Sequence, residues 1–177
     1  MGLRHVSIVK GMKKKPGGTP ALQALNQAGI DHVVHEFDAG NEHFGQHAAA
    51  ALAAEGISEN QVFKTLVIEL EGAPRPGLGV VCIPVGCKLS MKKAAAAFNV
   101  RKAHMAEEKA ACRATGYVFG GTSPIGQKTA LPTVIDESVE HSELVCVSAG
   151  KRGMDVGLSP KDLALITGAT FAPLTAD

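Results

Sequence analysis

The segment Gly-Gly-Thr-Ser-Pro-Ile-Gly at residues 120–126 decides how the rest of this chain is interpreted. Three glycines and a proline within these seven residues exclude a regular helix or a central strand, because glycine costs backbone entropy and proline lacks an N–H donor. The segment is therefore a shaped loop. Such a loop can direct successive backbone N–H groups at one point and so bind an anion or an oxyanion. The alternative is a plain surface turn, and the residues around the segment indicate which of these two interpretations applies.

The composition indicates a single folded domain. A length of 177 residues suffices for one sizeable core, and 45% hydrophobic with 20% charged residues is ordinary for a globular protein. A net charge of +1 argues against a surface devoted to nucleic acid, and six Phe, one Tyr and no Trp argue against a platform that stacks several bases. Four scattered cysteines form no zinc pattern, and no apolar run reaches the length of a membrane span. We therefore expect a cytoplasmic protein with no metal, no cofactor and no membrane partner.

The N-terminal segment, residues 1–18, carries five Lys or Arg residues and closes with Pro-Gly-Gly. This pattern predicts a flexible basic arm, followed by a single folded domain over residues 19–177. A disordered leader and an arm that helps to hold phosphates are both consistent with this composition.

Caps, chain breakers and hydrophobic periodicity predict several strands and about five short helices. Thr19-Pro20 and Ser159-Pro160 each combine an N-cap residue with a proline at the first helical position. Apolar strands are expected at residues 63–70, 79–84, 133–136, 144–148 and 154–158, several of them joined by hairpin-like turns. Because strict βαβ alternation is missing, we expect an α/β mixed (α+β) fold. In it, the helices surround a curled, largely antiparallel mixed sheet or open barrel.

Lys64 is an unusual residue within the predicted strand at 63–70. Alternation places it on the same face as Leu66, Ile68 and Leu70. One explanation is a strand end from which the amine reaches water. The other is a lysine in a partly apolar cleft, where its weakly screened charge can fix a carbonyl or phosphate oxygen.

Familiar catalytic motifs are missing. The chain has no Gly-x-Ser-x-Gly elbow, Walker loop, dinucleotide fingerprint or zinc-hydrolase helix. His43 and His47 have the spacing of a two-histidine metal site, but Gly45 between them weakens that interpretation. The candidate chemistry therefore falls to Lys64, Tyr117, the loop at residues 120–126 and the turn at 148–155.

Several segments together resemble the YbaK family of aminoacyl-tRNA deacylases, which are free-standing relatives of the editing domain inserted in bacterial prolyl-tRNA synthetases. Each segment alone is a weak signal, and their order and spacing over residues 19–171 make the resemblance specific. The segments are Thr19-Pro20-Ala21, His43-Phe44-Gly45, Phe63-Lys64-Thr65-Leu66, residues 115–128 and Ser148-Ala149-Gly150-Lys151-Arg152-Gly153.

The resemblance implies hydrolysis of the ester that joins a wrong amino acid to tRNA, chiefly in Cys-tRNA(Pro) and also in Cys-tRNA(Cys). Contacts alone cannot exclude so small an amino acid from a synthetase pocket, so a second site has to remove it. The implied partners are the acceptor end of aminoacyl-tRNA and prolyl-tRNA synthetase. The implied mechanism needs no protein nucleophile, because the thiol of the cysteine attacks its own ester carbonyl. A non-catalytic module that binds tRNA or the synthetase is the alternative from another class.

The resemblance also implies roles for individual residues. Lys64 corresponds to a family lysine that orients the terminal adenosine and the ester, while Lys151 and Arg152 join it in holding phosphates. The Gly-x-x-x-Pro part of the loop would offer N–H groups to the oxyanion, at about 3–4 kcal/mol for each well-placed donor. Some relatives have a tyrosine where this chain has Phe37, so only a packing or stacking role remains there. The implied catalytic residues are Lys64, Gly120, Gly121, Thr122, Ser123 and Pro124, and the implied substrate-binding residues are Phe37, Tyr117, Gly126, Ser148, Gly150, Lys151, Arg152 and Asp155.

Overall fold

The computed structural model describes residues 3–9 and 18–177. These residues form two β-sheets and five α-helices. The strands are β1 Leu3–Val9, β2 His32–Phe37, β3 Phe63–Leu70, β4 Leu78–Pro84, β5 Ala103–Met105, β6 Thr133–Asp136, β7 Val145–Lys151, β8 Met154–Leu158 and β9 Thr170–Ala172. The helices are α1 Pro20–Ala28, α2 Phe44–Ala53, α3 Met91–Ala97, α4 Glu108–Thr115 and α5 Pro160–Thr167.

The first sheet has the strand order β1-β2-β8-β7, and the second has the order β5-β3-β4-β6-β9. Neighbouring strands are antiparallel except for the pairs β4–β6 and β6–β9, which are parallel. The expected α+β fold with a mixed, largely antiparallel strand arrangement is confirmed. The single curled sheet is instead divided in two, because β4 and β5 occupy the edges of β3. The described strands form no closed barrel, and a bridge between Val62 and Cys146 links the sheets.

Helix caps fix the helix ends close to where the sequence predicts them. The Thr19 hydroxyl oxygen accepts a hydrogen bond from the Leu22 N–H at 3.2 Å, and Ser159 accepts one from the Asp162 N–H at 3.1 Å. Each cap satisfies a backbone donor that the first helical turn leaves unpaired. Helices α1 and α5 then end at glycines in the left-handed conformation.

The two faces of the first sheet pack against different layers. Val34, Val147 and Val156 belong to a core cluster that also contains residues of α1 and α5. The other face carries Cys146 and Phe37, which pack with α2. The first sheet is thus enclosed on both faces, and its second face borders α2 and the start of β3.

Polar side chains share the second face of the first sheet. Ser148 is paired with Asp155 across β7 and β8, and Asp155 is paired with His35 across β8 and β2. Because side chains alternate along a strand, these three lie opposite the Val34, Val156 and Val147 row. A functional site is therefore expected between this face and α2.

Strand β1 covers residues 3–9, where the charge pattern predicts part of a flexible basic arm. It forms the edge of the first sheet and runs antiparallel to β2. Val6, Ile8 and Val9 are β-branched and favour a strand. Residues 1–2 and 10–17 of the expected arm lie outside the described residues. Among the described helices, none combines the length and the hydropathy that crossing a membrane requires.

Candidate active site

A cleft of about 440 Å³ opens where α2, β3 and the β7–β8 hairpin meet the loop at residues 120–126. Its walls combine apolar side chains with cations and backbone groups, a typical composition for a small-ligand site. Many of the predicted site residues line it together, although they are far apart in the sequence. They are Phe37, Lys64, Gly120, Thr122, Ser148, Lys151, Arg152 and Asp155.

Lys64 extends from β3 into this cleft. Pairing with Ile83 of β4 fixes its backbone, and its side chain is half-buried. Among the described residues its ammonium group has no hydrogen-bond or ion-pair partner. A cation in a partly apolar cleft is weakly screened and attracts an oxygen that carries or develops negative charge. Of the two explanations that the sequence allows for Lys64, the cleft lysine matches its position.

The glycine-rich segment is a loop, as predicted, because residues 116–132 contain no helix or strand. Two of its glycines allow close packing that no other residue would permit. A Cβ on Gly120, where φ is +82°, would overlap the ring of Phe44. A Cβ on Gly121 would lie 2.9 Å from backbone atoms of Lys151 and Arg152, which cannot easily move away. The loop is thus held against α2 on one side and the β7–β8 turn on the other.

Two backbone N–H groups of the loop have no hydrogen-bond acceptor among the described residues. The Gly121 N–H donates to the Val118 carbonyl at 3.0 Å, and the Ile125 N–H donates to the Ser123 hydroxyl at 3.2 Å. The N–H groups of Gly120 and Thr122, two residues that line the cleft, have no acceptor within the described parts of the chain. Unpaired N–H groups and a cation that line one cleft are the components of an oxyanion site.

The remaining predicted residues do not line the cleft. Tyr117 is buried, and its hydroxyl donates to the Ile125 carbonyl at 2.6 Å. Burial raises the pKa of Tyr117 to about 12, so the hydroxyl remains a donor at neutral pH. A Cβ on Gly150 would lie 2.7 Å from the Tyr117 ring, and one on Gly126 would lie 2.6 Å from the Pro20 carbonyl oxygen. These contacts fix the shape of the loop. Gly121, Ser123 and Pro124 are buried within it.

Asp155 is a buried carboxyl group at the inner wall of the cleft. Burial raises its pKa to about 7. The pKa of the Cys146 thiol is also raised, mainly by burial and to a smaller extent by the negative charge of nearby Asp155. Burial lowers the pKa of His35, the cross-strand neighbour, so that imidazole supplies little positive charge at neutral pH. Asp155 can therefore gain and lose a proton close to physiological pH.

Replacing Asp155 with Asn should stabilise the fold at neutral and higher pH. Because the folded pKa lies above the unfolded one, stability is lost as pH rises from about 4 to about 7. Asn removes this loss, so we expect a gain in unfolding free energy on the order of 2 kcal/mol at pH 8. That is about half of what the pKa shift alone gives, because the amide is itself a buried polar group.

Urea unfolding of the wild type and D155N at pH 8 and pH 4 measures this effect. D155N should be the more stable protein at pH 8 and the less stable one at pH 4, where the wild-type carboxyl is protonated and only the cost of the buried amide remains. An equal difference at both pH values would contradict a buried ionised carboxylate as the cause.

The cleft has an aromatic rim that the sequence does not predict. The rings of Phe44 and Phe119 meet edge to face, with centroids 6.2 Å apart and planes at 75°. The Arg152 guanidinium lies 4.7 Å from the centroid of the Phe44 ring, and its Nε donates to the Phe119 carbonyl at 2.8 Å. Phe44 was part of a recognised segment, but the sequence does not reveal that Phe119 is exposed.

Comparisons with known proteins show the family and the fold of this chain. The model of the aminoacyl-tRNA editing domain family matches residues 45–166. A protein of Enterococcus faecalis named as a Cys-tRNA(Pro)/Cys-tRNA(Cys) deacylase, EbsC, is 34% identical over 163 residues, which are 92% of this chain and 96% of that protein. A solved structure described as a trans-editing enzyme for prolyl-tRNA synthetase has a TM-score of 0.73 and 25% identity, covering 89% of this chain and 93% of its own. The hypothetical protein APE2540, with a TM-score of 0.75 and 21% identity over 89% of this chain and 99% of its own, shares the fold.

Proposed function

The chain belongs to the aminoacyl-tRNA editing domain family and is an aminoacyl-tRNA deacylase, and we propose that it acts chiefly on Cys-tRNA(Pro) and secondarily on Cys-tRNA(Cys). One observation carries this proposal: Lys64, Gly120 and Thr122 line one cleft, and neither the Lys64 ammonium nor the two loop N–H groups has a partner among the described residues. Ester cleavage creates negative charge on the carbonyl oxygen, and such a set of donors stabilises it. The name of the E. faecalis relative supports the choice of cysteine esters.

In the mechanism that we propose, the substrate supplies its own nucleophile. The sulfur of the cysteinyl group attacks the ester carbonyl carbon, and the bond from that carbon to the ribose oxygen breaks. Cysteine leaves as a cyclic thiolactone, which water then opens. The enzyme contributes orientation and charge stabilisation, both of which can lower a barrier by several kcal/mol.

Five of the residues that line the cleft have roles in this scheme. The Gly120 and Thr122 N–H groups receive the developing oxyanion, and Lys64 orients the ester and the terminal ribose. Asp155 takes the thiol proton, which its pKa of about 7 suits at neutral pH, and the leaving ribose oxygen receives a proton in turn. Ser148, the cross-strand neighbour of Asp155, lines the same cleft and would contact the substrate.

We further propose that the protein acts in the cytoplasm together with prolyl-tRNA synthetase. A net charge of +1 gives little general attraction to a phosphate backbone. Among the described residues, three Lys or Arg side chains line the cleft, and in this proposal they bind the acceptor end alone: Lys64, Lys151 and Arg152. A synthetase that already holds the tRNA would supply the missing affinity.

A panel of charged tRNAs tests the proposed function. Purified protein is incubated with cysteine, alanine and serine on both the proline and the cysteine acceptors, and release of the amino acid is followed over time. We expect rapid release from Cys-tRNA(Pro), slower release from Cys-tRNA(Cys) and intact Pro-tRNA(Pro) as the control. A protein that releases no amino acid from any of them is a binding module and contradicts the proposal.

A further inference from the structure

Phe119 is an exposed aromatic residue at the mouth of the catalytic cleft. Four large hydrophobic side chains are exposed within the described residues: Met105, Val118, Phe119 and Leu165. Of these, Phe119 alone lines the cleft, with 59% of its surface accessible. Scattered exposed apolar residues are ordinary, but a ring at the edge of a concave site presents a flat apolar face to whatever enters.

The Phe119 ring is supported by its neighbours. Phe44 packs against it edge to face, and the overlap that a Cβ on Gly120 would cause shows how closely the chain runs past Phe44. The Phe119 carbonyl accepts a hydrogen bond from Arg152 Nε. A side chain supported in this way loses little conformational freedom when a ligand covers it, which favours binding.

Cations lie immediately beside this aromatic face. Arg152 donates from its Nε to the Phe119 carbonyl, and its terminal guanidinium nitrogens have no hydrogen-bond acceptor among the described residues. Lys151 is exposed and lines the same cleft. Flat apolar surface next to cations matches a nucleotide, whose base is planar and whose phosphate is anionic.

We propose that Phe119 stacks on the terminal adenine base of the tRNA, with Arg152 at the adjacent phosphate, while the ester reaches Lys64 farther into the cleft. This inference rests on the proposed function, since it deepens the substrate contacts of the same site. One aromatic face binds one base, which agrees with the small number of aromatic residues in the chain. Stacking is tolerant of sequence, so this contact would recognise the common end of every tRNA.

Two small esters test the stacking site directly. The first is AMP with cysteine on its ribose, and the second is the same cysteinyl ester of ribose 5′-phosphate, which lacks the base. In the wild type, the adenine should raise kcat/KM by about 10-fold or more. Phe119→Ala should remove that advantage and leave cleavage of the base-free ester nearly unchanged.

Matched variants separate stacking from packing. Val118→Ala removes an adjacent side chain that is 57% exposed and does not line the cleft, so it should behave like the wild type. Phe119→Leu keeps apolar bulk without the ring and should resemble Phe119→Ala, whereas Phe119→Tyr should retain the adenine advantage. An equal loss on both esters in Phe119→Ala would overturn the proposal.

Binding of 5′-AMP, followed by NMR titration, provides a readout independent of hydrolysis. We expect the dissociation constant to rise about 10-fold in Phe119→Ala and to stay unchanged in Val118→Ala. If the wild type cleaves neither ester but still binds AMP through Phe119, the proposed catalysis fails and the stacking site stands. If both variants bind AMP like the wild type, the stacking site fails whatever the activity, and the exposed ring is left as a contact for a protein partner.

Discussion

Lys64→Ala is expected to lower kcat/KM for deacylation of Cys-tRNA(Pro) by about 1,000-fold, which corresponds to roughly 4 kcal/mol of transition-state stabilisation. The effect should be large because Lys64 is a cation in a partly apolar cleft whose charge has no partner among the described residues. A bound ester is therefore the main group on which its charge acts. The fold should persist, because the substitution breaks no side-chain hydrogen bond or ion pair among the described residues and leaves the pairing of β3 with β4 intact.

Single-turnover rates with Cys-tRNA(Pro), together with thermal melts, test the Lys64 prediction. Lys92→Ala is the matched control, because Lys92 is an exposed lysine on α3 and does not line the cleft. It removes the same charge and should retain full activity. Lys64→Arg keeps the charge but changes the shape of the donor, and partial activity is expected. A Lys64→Ala protein within about 10-fold of the wild-type rate would exclude Lys64 from the reaction.

Local signals explain which parts of the fold the sequence could predict. The Thr19-Pro20 and Ser159-Pro160 openings predict α1 and α5 because a cap and a proline act within one helical turn. Strand β3 is predicted at its observed bounds, Phe63–Leu70, because the apolar run and the turn after it are both local. The division into two sheets depends on which strands pair with the two edges of β3. This pairing is determined by contacts between segments that are distant in the sequence.

Prediction of the candidate site has the same limit. The family pattern identifies Lys64, Arg152 and Asp155, and the fold brings them to one cleft. The pattern does not tell that Tyr117 does not line the cleft, because its position depends on packing between α1 and residues 117–126. Exposure of Phe119 is likewise a tertiary property, because it follows from how the chain passes Phe44 and Arg152.

Serine esters are expected to be cleaved at least about 100-fold more slowly than cysteine esters on the same proline tRNA. Serine and cysteine differ by one atom and should fit the cleft similarly, so the difference would arise from reactivity. A thiol has a pKa near 8.5 and is intrinsically nucleophilic, whereas an alcohol is a weak nucleophile without a strong base beside it. Asp155, with a pKa of about 7, is a sufficient base for a thiol but far too weak for an alcohol.

Single-turnover assays at saturating enzyme separate reactivity from binding, and S-methylcysteine on the same tRNA provides a second control. Its sulfur carries a methyl group and cannot close to a neutral thiolactone, so its ester should persist as long as the serine ester. The rate for the cysteine ester should rise with pH toward about 7, following ionisation of Asp155, and this rise should be lost in D155N. Equal rates for the cysteine, serine and S-methylcysteine esters would mean that water is the nucleophile. In that case we would still expect the N–H groups of Gly120 and Thr122 to stabilise the oxyanion, and we would expect Asp155 to act as a base for water.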